Sequence, residues 1–239
     1  MRSGSVYVKK MKNLSVDSLT AELPLFQEDG GGASPTSTHQ SFKNYFVREL
    51  SNKKLAYPYI YEIHYAKRKP SLSYVYGLYR NYELIGVCTY GSPASPNLCV
   101  GIAGESNRNK VIELNRLVLK FNRKNEASFL VSKSIRMLPK PKIIVSYADT
   151  AQGHIGLVYQ ATNFFFTGTT KARTDMASAN NKHSRHSLKD PTNRVFRSAK
   201  HRYVYIHADK QEKAKLRNEL NYKISTYPKS SNERKDEEN

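Results

Sequence analysis

The chain has 239 residues, 38% of them hydrophobic, which suits one globular domain of ordinary size with tails. Two cysteines exclude a disulfide framework, and the lack of an apolar run of roughly 18 residues or of a signal-peptide core excludes membrane and secreted classes, so we expect a cytoplasmic protein. The 39 Lys and Arg against 20 acidic residues give a net charge of +19, whose field attracts polyanions and makes nucleic acid the expected partner.

Composition divides the chain into three parts. Residues 1–38 form an N-terminal segment that ends in a Gly/Ser/Thr/Pro-rich linker, Gly30 to Thr38, which is too flexible and polar to pack. The folded domain is predicted over residues 39–210. Residues 211–239 are highly charged and are predicted to form a frayed helix or a tail.

The first half of the domain is predicted to be a helix followed by strands. His39 to Leu50 has apolar residues on one helical face. Tyr74 to Tyr79 and Glu83 to Tyr90 are rich in strand-forming residues, and the polar Arg80-Asn81-Tyr82 between them is typical of a hairpin turn. Val111 to Leu119 alternates and is predicted to be a further strand.

The second half alternates between helices and strands. Ala127 to Leu138 has helical spacing and is closed by prolines. Ile143 to Tyr147 is a short apolar run typical of a buried strand. Gly153 to Ala161 is a second predicted helix, Phe164 to Phe166 begins another strand, and Arg202 to His207 is a late strand. Hairpins together with β-α-β crossovers predict an α/β chain (α+β, with a mixed sheet).

The segment from Gly153 to Gly168 carries the most specific fold motif. Leu157, Tyr159 and Phe164 match a pattern A-x-x-L-Y-x-x-x-G-F, with Asn163 in place of its glycine. Asparagine also adopts the left-handed conformation that caps a helix. This pattern and the order of elements resemble the GNAT acyltransferase fold, which implies a single GNAT-like catalytic domain with a basic loop insertion.

Further motifs narrow the resemblance to one family. They are, in chain order, EIHY (Glu62 to Tyr65), ELNRLVL (Glu113 to Leu119), ASFLVSKSIRML (Ala127 to Leu138), SYAD (Ser146 to Asp149) and RYVYI (Arg202 to Ile206). Together they resemble the Mom family of phage DNA-modification proteins. Membership implies transfer of a carbamoylmethyl (glycinamide-like) or acyl-derived group to adenine N6 in double-stranded DNA, in the host cytoplasm, which protects the DNA from host restriction.

Tyr159 and Asp149 are the first candidates for catalysis. Tyr159 stands where many GNAT enzymes keep a tyrosine acid, and the alternative is a half-buried core tyrosine. Asp149 follows a strand at its carboxyl end, where it would orient or deprotonate the adenine amine. The alternative for Asp149 is a helix N-cap.

Three more catalytic candidates are polar residues in or beside strands. Arg116 interrupts an apolar strand, so it either clamps a phosphate or carboxylate or pairs outward with Glu113 or Glu105. His64 and Tyr65 are candidates for a general base, for a metal ligand or for stacking on a nucleobase, and the alternative is a structural histidine.

A donor site is predicted at the start of the Ala127 helix. GNAT enzymes bind the acyl-CoA pyrophosphate with a loop R/Q-x-x-G-x-G/A, whereas residues 122–127 (NRKNEA) contain no glycine. A helix N-terminus still offers free N–H groups and a positive dipole to an anion. The donor therefore stays open between acyl-CoA (acetyl-CoA) and another acyl or aminoacyl donor. The predicted cofactor-binding residues are Arg123, Lys124, Asn125, Ala127 and Ser128, the last with a plain first-turn serine as its alternative.

The basic loop at Lys171 to Lys200 is the predicted DNA contact. Transfer to adenine N6 requires a flipped base, which Tyr74, Tyr76 or Tyr79 would hold unless they are ordinary strand residues. A H-x-x-H pair at residues 183–186 is interpreted as solvated, and no metal site is predicted. The predicted phosphate contacts are Arg173, Lys182, Arg185, Lys189, Arg194 and Arg197.

Two other functions fit the same residues. One is a GNAT N-acyltransferase that acts on a protein or tRNA amine, which the fold motif alone supports. The other is a non-catalytic DNA-binding protein on a degenerate GNAT scaffold, which the missing glycines of the pyrophosphate loop support. The sequence indicates no particular oligomeric state.

Overall fold

The computed structural model describes residues 42–178 and 189–229 of the chain. Residues 1–38, the H-x-x-H pair, Lys182 and Arg185 lie outside the described residues. None of the helices within the described ranges is long and apolar enough to cross a membrane.

Within the described ranges, nine strands form two sheets. In the seven-stranded sheet, the order is β1-β2-β3-β4-β5-β9-β6, and all neighbours are antiparallel except the parallel pair β4 and β5. The strands β7 and β8 form a separate antiparallel ribbon. The predicted α/β chain with a mixed sheet is confirmed. The strands are β1 (Tyr45–Glu49), β2 (Tyr74–Arg80), β3 (Glu83–Gly91), β4 (Val111–Leu119), β5 (Lys142–Asp149), β6 (Phe165–Thr169), β7 (Arg173–Ser178), β8 (Lys189–Arg197) and β9 (Lys200–His207).

In the part of the chain that the structure describes, four α-helices accompany the sheet: α1 (Pro96–Asn107), α2 (Glu126–Met137), α3 (Leu157–Ala161) and α4 (Lys210–Asn218). Sequence reasoning missed α1, because Gly101 and Gly104 weaken any apolar stripe. The helix is in fact interrupted at Gly104, whose φ of 73° is not helical. Short helical turns also precede His64 and follow Asp149.

The sheet is covered on both faces. On β5, Ile144 packs with α2 and α3 side chains, whereas its neighbour Val145 packs with Ile102 of α1 and Leu216 of α4. Successive strand residues point to opposite faces, so α2 and α3 cover one face and α1 and α4 cover the other. A third cluster, centred on Ile60, packs the helical turns before His64 onto β2, β3 and β4.

Most predicted strands and the Ala127 helix are confirmed, within a few residues at each end. The predicted hairpin is also confirmed. Its central turn residues, Asn81 and Tyr82, both have positive φ values of 49° and 65°. Two consecutive residues with positive φ give the turn whose twist matches that of the flanking strands.

The predicted helix over His39 to Leu50 is wrong. The residues Tyr45–Glu49 form β1, which pairs with β2 from Tyr45↔Arg80 to Glu49↔Tyr76. The apolar spacing suits either a helical face or a strand in so short a window. Here the aromatic and β-branched residues of the segment favour pairing with the open edge of β2.

The second predicted helix begins later than expected. Gly153 and Gly156 have φ values of 65° and 81°, so residues before Leu157 are not helical. A Cβ atom on Gly156 would lie 2.4 Å from the ring of Tyr203, so the chain needs glycine there for close approach as well as for its conformation.

Two segments that were predicted to be a loop and a tail contain regular secondary structure. The predicted basic loop contains β7 and β8. The charged segment after residue 210 contains α4, whose Leu216 is fully buried, and the backbone N–H of Asn221 donates to Ile102 O at 3.0 Å. The segment through residue 229 therefore packs on the domain rather than fraying from it.

Candidate functional site

The strands β4 and β5 separate midway along the sheet. They pair only at Val111↔Ile143, Ile112↔Ile144 and Glu113↔Val145. At the point of separation, Ser146 Oγ donates to Leu114 O at 2.9 Å. We call the gap between residues 114–119 and 146–149 the strand fork. Beyond Glu113, this edge of β4 has no strand partner in the described sheet, so polar groups can enter between the strands.

Arg116 lies on β4 at the strand fork. Its Nη1 donates to Asn115 O at 2.6 Å and its Nη2 donates to Arg68 O at 2.9 Å. Its Nε is buried and has no hydrogen-bond partner among the described residues. The alternative pairing with Glu105 is not found, since Glu105 pairs with Arg108 at 2.6 Å. Arg116 therefore presents an unsatisfied donor within the site.

Arg68 is a site residue that sequence reasoning missed. Burial and then the positive charge of Arg197 lower the pKa of Arg68, and Tyr65 and Glu113 oppose this. Burial and then Arg68 likewise lower the pKa of Arg116. Because two neighbouring guanidinium groups repel each other, an anion that binds between them is favoured. The signal in the sequence was the basic run at residues 67–69, which gives no indication of which residue turns inward.

Glu113 is the second residue that sequence reasoning missed, since it was considered only as a counter-ion. It occupies the last parallel pair before the strand fork and accepts a hydrogen bond from the backbone of Ala94. Burial raises the pKa of Glu113, although Arg116, Arg68 and Lys200 act to lower it. A carboxylate with a raised pKa beside cations is able to take up a proton.

Asp149 is held by several donors at the end of β5. Its carboxylate accepts from Lys200 Nζ, from Ser198 Oγ at 2.5 Å and from Ala151 N at 3.1 Å. Burial acts to raise its pKa, but the hydrogen bonds from Lys200 and Ser198 outweigh this and lower it. Asp149 therefore caps the turn Thr150–Gln152, which is the N-cap role predicted as its alternative. Because its pKa is lowered, its side chain stays an ionised carboxylate.

Tyr159 is a buried residue of α3. Its ring packs against Phe164 and Tyr203, with centroid distances of 5.4 and 5.2 Å. Burial raises the pKa of Tyr159 to about 12, and a hydrogen bond with Ser146 opposes the rise. The phenol is therefore protonated near neutral pH and is able to donate a proton. Tyr159 is therefore a core tyrosine that also lies beside the strand fork.

His64 and Tyr65 form a stacked pair beside the strand fork. Their ring centroids are 4.5 Å apart, and Tyr65 is 51% exposed. Ala66 N donates to His64 Nδ1 at 3.0 Å, which places the proton of the neutral ring on Nε2. Burial and then Arg116 lower the pKa of His64 to about 4. His64 is therefore a neutral hydrogen-bond donor near pH 7, not a general base poised to titrate there.

The depressed pKa of His64 predicts a stability effect of pH. The unfolded state takes up a proton near pH 6.5 and the folded state only near pH 4, so the unfolded state binds more protons between these values. Stability is thus complete above pH 6.5 and falls as the pH drops toward 4. We expect His64→Asn, whose amide oxygen can still accept from Ala66 N, to lose less Tm than the parent between pH 7 and pH 4.5. An equal Tm loss in both proteins, measured by calorimetry, would contradict the depressed pKa.

The five predicted catalytic residues are brought into one neighbourhood. Tyr65 interacts electrostatically with Asp149 and Arg116, and Tyr159 interacts with Tyr65 and Glu113. Among the described residues, no group of three or more His, Cys, Asp or Glu side chains is arranged to hold a metal ion.

The predicted donor loop before α2 contains a buried carboxylate, that of Glu126. Glu126 is fully buried, and its carboxylate accepts from Arg123 N at 2.9 Å and from Tyr45 Oη at 3.0 Å. Arg123 Nη1 lies 3.6 Å from the same carboxylate, and Ser128 Oγ donates to Asn125 O at 3.1 Å.

This loop differs from a pyrophosphate loop because it holds a buried carboxylate. The Glu126 carboxylate accepts from Arg123 N and lies near the Arg123 guanidinium, and its negative charge disfavours a phosphate beside it. Ser128 is a plain first-turn serine, as its alternative interpretation predicted, since its hydroxyl donates to Asn125 O of the same loop. The donor contacts at Arg123, Lys124, Asn125 and Ala127 stay predictions, and of these residues Arg123 already interacts with Glu126.

The predicted DNA contacts lie partly on the ribbon of β7 and β8. Arg173 and Arg194 are exposed, and Arg197 is half-buried. The backbone of Lys189 lies in β8. Asp175 pairs with Arg173 at 3.1 Å and with Arg197 at 3.5 Å, which offsets part of their charge.

The tyrosines proposed to hold a flipped base are ordinary strand residues. Tyr76 is fully buried, Tyr74 packs against the core, and Tyr79 stacks on Phe46 with a centroid distance of 4.9 Å. Tyr65, at 51% exposed, presents more of its ring to solvent than these three tyrosines.

Comparison with known proteins gives relatives in sequence and structure. The chain is 34% identical over 112 residues to the methylcarbamoylase Mom of Escherichia phage Mu, a match that spans 44% of this chain and 46% of that protein. A probable acetyltransferase from Staphylococcus epidermidis is similar in structure, with a TM-score of 0.43, 11% identity and coverage of 68% of this chain and 98% of its own. A GNAT family acetyltransferase from Elizabethkingia anophelis, solved with acetyl-CoA bound, has a TM-score of 0.36, 13% identity and coverage of 69% and 99%.

A family model matches most of the folded part of the chain. The model is that of the Mom protein family, and the match covers residues 44–229. This range contains the strand fork, the ribbon and α4, so the family assignment applies to the whole described domain. The chain therefore belongs to the Mom protein family.

Proposed function

We propose that this protein is a phage-type DNA-modifying transferase. It would place a carbamoylmethyl (glycinamide-like) or acyl-derived group on N6 of adenine in double-stranded DNA, in the host cytoplasm, and so protect that DNA from restriction. The observation that carries the proposal is the cluster of Arg116, Glu113, Tyr65 and Tyr159 at the strand fork of a Mom-family domain. The name of the phage Mu relative, a methylcarbamoylase, supports transfer of a group that contains a carbamoyl unit.

The adenine amine needs a base as the new bond forms. Its lone pair is delocalised into the ring, so free deprotonation is too costly and a proton must leave during attack. Asp149 is a poor base because three donors hold its carboxylate and its pKa is lowered. Glu113, with its raised pKa, suits the task better. We therefore assign base catalysis to Glu113 and positioning to Asp149.

Other groups of the cluster have complementary roles. The protonated Tyr159 would donate to the departing group of the donor, as a general acid with a high pKa does. The exposed ring of Tyr65, supported by the stacked His64, would form a face for the flipped adenine. His64 Nε2–H would add a hydrogen bond to a substrate acceptor.

The donor would be held by the arginine pair rather than by the α2 loop. The Glu126 carboxylate disfavours a pyrophosphate before α2, whereas Arg116 Nε is buried without a partner among the described residues. An anionic part of an acyl or aminoacyl donor would fit between Arg116 and Arg68. Acetyl-CoA stays a candidate donor only if its phosphates bind elsewhere.

Nucleoside mass spectrometry tests the proposal. DNA from cells that express the protein is expected to contain an adenine of increased mass, absent with an empty vector. Glu113→Gln keeps the shape of the side chain but removes its basicity, so the mark should fall about 100-fold. Glu105→Gln is the matched control, since Glu105 lies exposed in a surface ion pair, and it should mark DNA fully.

Three outcomes would go against these assignments. Soluble protein with unmodified adenine in every tested host would refute DNA modification. Mass gain on a host protein or tRNA instead would favour the alternative acyltransferase. Full marking by Glu113→Gln would leave the function in place and remove Glu113 as the base.

A further inference from the structure

One face of the β7–β8 ribbon combines an aromatic ring with a cation. Phe196 is 70% exposed, although phenylalanine is mostly buried in proteins. The register pairs Phe196 with Thr174 and Arg194 with Met176, so these four side chains share one face. Asp175 and its two paired arginines point to the other face. We call the Phe196 side the ribbon face.

The ribbon face is tied to the strand fork. Ser198 Oγ donates to Asp149 at 2.5 Å, and Thr150 Oγ1 donates to Ala199 O at 2.7 Å. Two residues of extended chain span at most about 7 Å, so the backbone of Phe196 lies within that distance of Ser198. The backbone that carries the exposed ring is therefore held close to the candidate site.

The positive charge around the ribbon indicates which class of ligand binds the ribbon face. Residues 171–210 contain ten Lys or Arg and three Asp. Arg194 is exposed on the ribbon face and forms no ion pair with any described residue. A two-stranded ribbon fits the major groove of B-DNA, which is roughly 12 Å wide. Duplex DNA is the polyanion that offers both phosphates for Arg194 and a base stack for Phe196.

We propose that Phe196 is a wedge that enters the DNA base stack and fills the space left by the target adenine as it flips toward the strand fork. This inference rests on the proposed function. An amine inside a duplex cannot reach the cluster, and extrusion sacrifices stacking and pairing. An apolar side chain between base steps replaces part of the lost stacking and holds the opened state.

Permanganate probing of plasmid DNA tests the wedge without knowledge of the target sequence. Permanganate oxidises thymines that are unstacked, and the thymine opposite a flipped adenine becomes one. The parent protein is expected to raise thymine reactivity at the sites it marks. Phe196→Ala should lower that reactivity about tenfold, because base–aromatic stacking is lost. Its affinity for the same DNA, measured by filter binding, should change less than threefold, since the phosphate contacts remain.

Two further variants make the result specific. Phe196→Trp keeps an aromatic wedge and should restore thymine reactivity. Tyr82→Ala removes an aromatic ring that is 69% exposed in the β2–β3 turn, and it should behave as the parent. Circular dichroism checks that each variant is folded.

The outcomes separate the wedge from the function on which it rests. A parent protein that neither binds nor marks DNA would refute the proposed function itself. A parent that marks adenine without raising thymine reactivity would refute the wedge alone, and so would Phe196→Ala with unchanged reactivity.

Discussion

Replacing Arg116 with methionine is expected to abolish adenine marking and to leave the domain folded. The change removes the unsatisfied Nε and the charge that faces Arg68, so the proposed anion site loses its main donor. A lost donor to developing or bound negative charge costs about 100-fold or more in rate. Nucleoside mass spectrometry of DNA from expressing cells measures this loss.

The stability of the same variant separates a binding role from a structural one. Arg116 donates to two backbone carbonyl oxygens, but it is also destabilised by burial and by Arg68. Since these effects oppose each other, the Tm should shift by less than about 4 °C, which corresponds to about 1 kcal/mol for a domain of this size. Arg116→Lys keeps the charge without the planar fork and should retain a few per cent of the marking. A large drop in Tm together with lost marking would indicate that Arg116 is mainly structural.

Glu126→Ala is expected to produce the largest loss of stability. The change removes the carboxylate that accepts from Arg123 N and from Tyr45 Oη, opens a cavity and unpairs Arg123. Removal of one partner from a buried polar network costs about 3 kcal/mol, so the Tm should fall by roughly 6–12 °C. Thermal unfolding followed by circular dichroism measures this shift.

The conservative variant and a ligand complete the test of the α2 loop. Glu126→Gln keeps one acceptor and should lose about half as much stability. Added CoA should not raise the Tm of the parent, because a ligand stabilises only a state that binds it. A clear rise in Tm with CoA, enlarged in Glu126→Gln, would show that phosphates do bind at this loop.

The sequence was informative where one face of an element is buried. In β9, Tyr203 and Val204 pack on opposite sides of the sheet, and the alternation over Arg202 to His207 predicted that strand. The segment around Tyr45 failed because a few aromatic residues satisfy two periods at once. The start of α3 failed because Gly153 and Gly156 take conformations that apolar spacing does not encode.

The site was predictable only where a motif carried it. Arg116, Asp149 and Tyr159 came from family motifs, and the structure places them in one neighbourhood. Arg68 and Lys200 did not, because they reach the site through contacts 48 and 51 residues away in the chain. The buried carboxylate in the loop before α2 was not predicted either. Glu126 was not among the predicted site residues, although its neighbours were, because its inward orientation depends on a contact with Tyr45, which is 81 residues distant.

The late position of α4 has a consequence for synthesis of the protein. Helix α1 and the turn that follows it bind residues more than a hundred positions later in the chain. Asn107 Nδ2 donates to Glu219 at 2.7 Å, Lys110 Nζ donates to Glu212 at 2.9 Å, and Asn221 Nδ2 donates to Val100 O at 3.1 Å. Chains emerge from the ribosome N-terminus first, and contacts so distant in sequence form slowly. A nascent chain therefore leaves the part of the sheet face that α4 covers exposed until residue 221 has been translated, and a chain cut before Lys210 lacks the helix that packs there.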